Sequence, residues 1–171
     1  VYTENQVKDL LPDGLKIPFI TFFTSSEDEM EYYGDDLDFP KISQFSFIQD
    51  FLKTLEHGQN IVIRIHPNQA NSSFERKILH ELQAQHLNLY IVGSKSPVST
   101  YALLTKSSVN ISFGSSTAIE SLLLCKPAIL VGRAIYDQTV PITKVTNFLE
   151  LTHIIQSKII VSEKQTIQAS K

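Results

Sequence analysis

The stretch Val109–Val131, VNISFGSSTAIESLLLCKPAILV, decides the fold. Val109 to Phe113 is a short apolar run of strand-forming residues, and Gly114 stops it. Thr117 to Leu124 then carries a helical pattern, with Ser115 and Ser116 just before it as candidate caps and Thr117-x-x-Glu120 as a capping box. Ala128 to Val131 is a second apolar run, of a length suited to a buried strand. A strand, a helix and a strand in so few residues predict a parallel pair joined by a crossover.

The same alternation continues on both sides. Ile17 to Thr24 (IPFITFFT) reads as a strand buried on both faces. Ser43 to His57 places Phe45, Ile48, Phe51, Leu52 and Leu55 on one helical face, and Gly58 closes it. Ile61 to Ile65 is a strand. Ser72 to Glu75 is a capping box before a helix whose inner face is Phe74, Ile78, Leu79 and Leu82. Leu87 to Val92 is another strand, and Ser96-Pro97 opens a helix running to about Lys106. Beyond Tyr136 the pattern weakens to a helix over Asn147–Gln156 and a short strand over Lys158–Ser162. The expected architecture is a single α/β domain over residues 1–171, a Rossmann-like doubly wound parallel sheet.

Composition removes several classes of function. A net charge of −3 with scattered Lys and Arg argues against a nucleic-acid partner. The single cysteine, Cys125, cannot form an internal disulfide, so a reducing, cytoplasmic setting is expected. No apolar run reaches the roughly 18 residues of a membrane span. The opening VYTENQVKDLL has no signal-peptide pattern and no methionine, which points to a piece of a longer chain.

Ligands of such sheets bind at the carboxyl ends of the strands. Three of these ends are unexpectedly polar: TSSEDE after the first, HPNQ after the second and GSST after the fourth. In GSST, Gly114 permits a tight turn, while Ser115, Ser116 and Thr117 stand where a helix favours an anion. The pattern suits a phosphate, and it equally suits ordinary helix capping. Glu120 either reaches a ribose hydroxyl or closes the capping box. His66 either donates to a phosphate oxygen or merely caps its strand, with Pro67 fixing the chain behind it. Arg64, on the same side as His66, is either a second cation for an anion or the partner of an acid. Ser25 and Ser26 are further candidates for the same nucleotide crevice, whereas Glu27, Asp28 and Glu29 read as a solvated face. Tyr32, Tyr33 and Tyr136 are candidates to stack a base or to face another domain. No G-x-G-x-x-G, P-loop lysine, zinc spacing or nucleophile elbow occurs, so no catalytic nucleophile and no metal site are assigned.

Taken in order, TSSEDE, IRIHP, ISFGSSTAIES and KPAILVGRAIYD resemble the C-terminal half of bacterial surface-polysaccharide glycosyltransferases of GT-B architecture, over roughly Ile17 to Asp137. The capsule-polysaccharide group that includes Kdo transferases is the nearest resemblance. The HP motif with a paired Ser-Ser/Thr motif also resembles bacterial sialyltransferases, and R-x-HP resembles the teichoic acid polymerases that use CDP-glycerol. The resemblance implies a nucleotide-sugar donor, CMP-linked, and no metal. Its phosphate would be held by His66, Ser115, Ser116 and Thr117 around Gly114. The acceptor, a glycan or lipid-linked glycan, and the general base belong to an N-terminal GT-B domain outside this chain. Asp36-Leu37-Asp38 matches the D-x-D metal motif of another glycosyltransferase class, but in a polar loop that does not suit it. The implied location is cytoplasmic, or peripheral at the inner face of the bacterial membrane. The alternatives are a CDP-polyol phosphotransferase, half of a nucleotide-sugar 2-epimerase, and an inactive Rossmann-like module in polysaccharide assembly or export.

Overall fold

The computed structural model describes residues 11–26, 43–55, 58–69 and 73–157, with the backbone alone for 73–76. Its strands are β1 (Phe19–Phe23), β2 (Asn60–Arg64), β3 (Leu89–Val92), β4 (Val109–Ser112), β5 (Ala128–Val131) and β6 (Thr143–Val145). Its helices are α1 (Gln44–Thr54), α2 (Ser73–Gln85), α3 (Thr100–Lys106), α4 (Thr117–Leu123) and α5 (Phe148–Gln156). The strands form one sheet in the order β3-β2-β1-β4-β5-β6, and every pairing is parallel. The chain therefore has the single-domain, Rossmann-like α/β fold expected from its alternating pattern.

The sequence of β1 explains its central place. All five of its residues are buried, as a strand covered on both faces requires. On one face Ile20 and Phe22 pack with Ile61, Ile63, Ile111 and the α1 side chains Phe47, Ile48 and Phe51. Phe22 meets Phe51 edge-on at 5.3 Å and stacks with Phe113 at 6.1 Å. On the other face Phe19 and Phe23 pack with Val62, Val92 and the α3 residues Leu103 and Leu104. A third apolar cluster joins α4 to β5 through Ala118, Leu122, Ala128 and Leu130. Helix α5 returns to α1, where Thr54 and Thr152 share a hydroxyl hydrogen bond of 2.7 Å.

Several boundaries differ from where the sequence pattern puts them. Helix α1 ends at Thr54, capped by Leu55, before the glycine at 58. Helix α3 begins at Thr100 behind Ser99, whose hydroxyl accepts from Ala102 N–H, instead of at Ser96-Pro97. Pro97 disfavours helical backbone at Ser96, and Ser96 closes a turn onto the Gly93 carbonyl. Strand β6 has no counterpart in the sequence pattern: Thr-Lys-Val is short, and its lysine faces solvent. The expected strand over Lys158–Ser162 and residues 27–42, with Tyr32, Tyr33, Asp36 and Asp38, lie outside the described residues.

Candidate functional site

The order of strands reverses between β1 and β4, so the crevice expected to take ligands opens at their carboxyl ends. Thr24–Ser26 leave β1 there, and Phe113–Thr117 leave β4. Arg64 on β2 and Ser112 on β4 both stand in register with Phe23. His66 and Gly114, each two residues further on, therefore flank the end of β1 from opposite sides. They are separated by two strand spacings, about 10 Å at the backbone. The second and fourth strand ends are not neighbours; the first lies between them.

His66 begins a tight turn. Gln69 N–H donates to the His66 carbonyl at 3.0 Å, with Pro67 at the position whose φ it already satisfies. Within the turn Asn68 N–H donates to His66 Nδ1 at 3.2 Å. An Nδ1 that accepts carries no proton, so the neutral ring holds its proton on Nε2, a donor. Thr24 ties this turn to β1: its hydroxyl accepts from His66 N–H at 2.9 Å and donates to Gln69 Oε1 at 2.8 Å. Sequence reasoning missed this brace, because a threonine at the end of an aromatic strand looks like any other strand residue.

Arg64 is buried, and among the described residues its side chain makes one hydrogen bond, from Nη1 to the Gly93 carbonyl at 2.8 Å. Its Nε has no partner, and among the described residues no carboxylate pairs with it. Burial lowers its pKa. The guanidinium leans toward β3, away from the β1–β4 crevice. Ser25 belongs to the framework as well. Its hydroxyl donates to the Phe113 carbonyl, and Gln44 brackets its backbone, accepting from Ser25 N–H at 2.9 Å and donating to Ser25 O at 3.1 Å. Ser25 and Ser26 are both buried at the floor of the crevice.

The GSST turn is the most suggestive part. Gly114 has φ +83, which only glycine adopts without strain. Among the described residues nothing accepts a hydrogen bond from the N–H groups of Gly114, Ser115 or Ser116. The hydroxyls are a different matter. Ser116 Oγ donates to Glu120 Oε1 at 3.0 Å, and Thr117 Oγ1 donates to Ser112 Oγ at 3.3 Å. Ser115 Oγ accepts from Thr117 N–H at 3.4 Å and keeps its own proton. The cap of α4 is Ser116, with helical backbone and no side-chain cap bond; Thr117 is already inside the helix. The expected Thr117–Glu120 box is therefore replaced by a Ser116–Glu120 bond one residue earlier. Glu120 stays half-buried at the mouth with its second oxygen unbonded within the described residues.

The loop after β5 completes the wall. Tyr136 donates its hydroxyl to the Ser115 carbonyl at 2.5 Å, so it braces the turn. Arg133 and Asp137 form an ion pair in the same loop, and Asp137 also accepts from Ala134 N–H at 3.4 Å. Burial alone would raise the Asp137 pKa. The Arg133 and Ala134 hydrogen bonds and the charges of Lys144 and Arg133 outweigh it and hold the carboxyl below the usual range. A separate cleft lined by Leu55, Gly58, Gln59, His86 and Leu87 lies at the opposite ends of the strands and shares no residue with this site. Among the described residues no three His, Cys, Asp or Glu side chains group as metal ligands, and no helix is long and apolar enough to cross a membrane.

No protein-family model and no curated protein matches the chain. Solved structures do. The UDP-GlcNAc 2-epimerase from Neisseria meningitidis bound to UDP-GlcNAc superposes with a TM-score of 0.59 at 14% identity, over 95% of this chain and 42% of that one. The wall teichoic acid polymerase TagF gives 0.60 at 13%, over 97% and 41%. The UDP-GlcNAc 2-epimerase of Methanocaldococcus jannaschii, in complex with UDP-GlcNAc and UDP, gives 0.55 at 14%, over 95% and 43%. The chain thus spans less than half the length of these structures, and at such identity the likeness is one of fold. It has the Rossmann-like fold of one half of a GT-B architecture.

Proposed function

We propose that this chain is the donor-binding half of a GT-B glycosyltransferase of bacterial surface-polysaccharide synthesis, and that its donor is a CMP-linked sugar. The observation that carries the reading is the run of three amides at Gly114, Ser115 and Ser116 without a partner among the described residues, beside the switch point of the sheet. Unsatisfied N–H groups in a row make a ready site for an oxyanion. In this reading a phosphate lies over the end of β1, the three amides and the Ser115 hydroxyl donate from one side, and His66 Nε2–H donates from the other. Glu120 faces the ribose. Ser25, Ser26 and Arg64 then act mainly as framework: Ser25 locks β1 to the β4 turn, and Arg64 holds the loop after β3.

In the transfer, negative charge grows on the departing phosphate. Fixed amides and an imidazole N–H donating to that oxygen stabilise the growing charge more than the ground state, which is how such donors accelerate a reaction. They need no metal to do so. The acceptor and general base are left to a second α/β half, so the isolated chain should bind a nucleotide without transferring a sugar.

The 2-epimerase half is a second reading, favoured by the fold neighbours solved with UDP-GlcNAc and UDP. A diphosphate would extend from the same turn toward the loop after β5. Titrating the 171-residue chain with CMP and with UDP, followed by amide chemical shifts, separates the two. Tighter CMP binding, with Gly114–Ser116 moving most, supports the glycosyltransferase reading. A clear preference for UDP moves the assignment to the epimerase type, and no shift with either nucleotide removes both.

A further inference from the structure

The Ser115 carbonyl is held from three directions. Ser112 Oγ donates to it at 3.1 Å, the Tyr136 hydroxyl at 2.5 Å and Ala118 N–H at 3.3 Å. A trans peptide is planar, so a carbonyl and the N–H of the next residue point opposite ways. Fixing Ser115 C=O toward Ser112 and Tyr136 therefore fixes the direction of Ser116 N–H, one of the three amides without a partner. Ser112 is in turn met by Thr117 Oγ1.

Tyr136 reaches this point from 21 positions along the chain. Its arm is stiff at both ends. The ring is half-buried and packs on the α4–β5 cluster. The loop beneath it is held by the Arg133–Asp137 pair and by Lys144 Nζ, which donates to the Asp137 carbonyl at 3.4 Å. The phenol oxygen is thus carried to one backbone atom by a rigid support, as a pre-aimed site requires.

We propose that Tyr136 is a positioning residue of the anion site: its hydroxyl holds the Ser115 carbonyl and so aims the Ser116 amide at a phosphate oxygen. The inference rests on the reading of the GSST turn as a phosphate site. Tyr136 does not touch the ligand in this role. Without its hydroxyl the carbonyl keeps two of its three donors, and the peptide tilts so that the Ser116 N–H points less directly at the anion.

The test uses Tyr136→Phe, which keeps the ring and its packing and removes only the hydroxyl. Ser112→Ala acts on the same carbonyl from the other side. Both variants of the 171-residue chain are titrated with CMP and UDP, and melting is recorded in parallel. Melting temperatures should stay within about 3 °C of the parent. The Ser116 amide resonance should move before any ligand is added, and affinity for the preferred nucleotide should fall about 3- to 10-fold in each variant. The double variant should lose more than either single one. Parental affinity in both variants, with the Ser116 resonance unmoved, overturns the inference. So does an affinity loss that appears only alongside a large loss of folding. If the unmutated chain binds neither nucleotide, the phosphate reading itself falls and takes this inference with it. That outcome is told apart because no variant is needed to see it.

Discussion

Asp137→Asn removes one charge from a side chain that is 1% exposed while leaving its shape nearly unchanged. The carboxylate accepts from Arg133 through Nε and Nη2 and from Ala134 N–H. An asparagine turns one of those acceptors into a donor facing another donor. Removing one partner of a fully buried ion pair costs about 3–5 kcal/mol. Here the Arg133 side chain is 34% exposed, so solvent screens the loss. A figure of about 2–3 kcal/mol at neutral pH is the reasonable expectation. For a chain of this size that lowers the melting temperature by roughly 5–10 °C. The pH dependence has a definite sign. The folded Asp137 pKa is depressed, so its contribution is complete above the unfolded carboxyl pKa, about 3.9, and is lost as pH falls through the folded value. Thermal unfolding followed by circular dichroism at pH 7, and again as acid as the fold tolerates, should show the parent and variant curves converging at low pH. A variant that melts with the parent at pH 7, or a gap that stays constant with pH, would refute the account of this pair.

Ser115→Ala should weaken CMP binding by about 0.5–1.5 kcal/mol, whereas Ser116→Ala, whose hydroxyl already serves Glu120, should change it little; calorimetric titration of both checks the order. His66→Ala should weaken CMP by about 1–3 kcal/mol through loss of the Nε2–H donor and of the turn it caps, and unaltered affinity in a folded variant would count against the site. Arg64→Met should change stability by less than about 1 kcal/mol, because losing the bond to the Gly93 carbonyl is offset by removing a buried charge with no acidic partner among the described residues; a loss above about 2 kcal/mol in urea unfolding would show that the guanidinium is structurally required. Cys125, at φ +56 just past α4, stands where glycine is relaxed. Cys125→Gly should therefore stabilise the chain by about 0.5–1 kcal/mol in the same urea assay.

The central strands could be read from the sequence because burial on both faces leaves continuous apolar runs, as in Phe19–Phe23 and Ile61–Ile65. Strand β6 could not, since three residues with an exposed lysine carry no periodic signal. Of the proposed site, Gly114 and the hydroxyls beside it were legible in the sequence. The atoms that could serve a ligand were not. Whether a serine proton is available depends on partners such as Ser112, Glu120 and Tyr136, and Tyr136 arrives from a different loop. The sequence pointed to hydroxyl groups where the backbone offers the open donors. The same difficulty applies to Arg64, whose lean toward Gly93 is set by the neighbouring strand end and leaves no local pattern.

The mutual bond between the Gln44 amide and the Ser25 peptide joins two residues 19 positions apart. It pins the end of β1 to the first turn of α1. Lengthening a segment closed in this way costs little, about 0.6 kcal/mol for each doubling. The two ends stay pinned whatever the length of the connection, so the end of β1 and its hydroxyl bond to the Phe113 carbonyl keep their place.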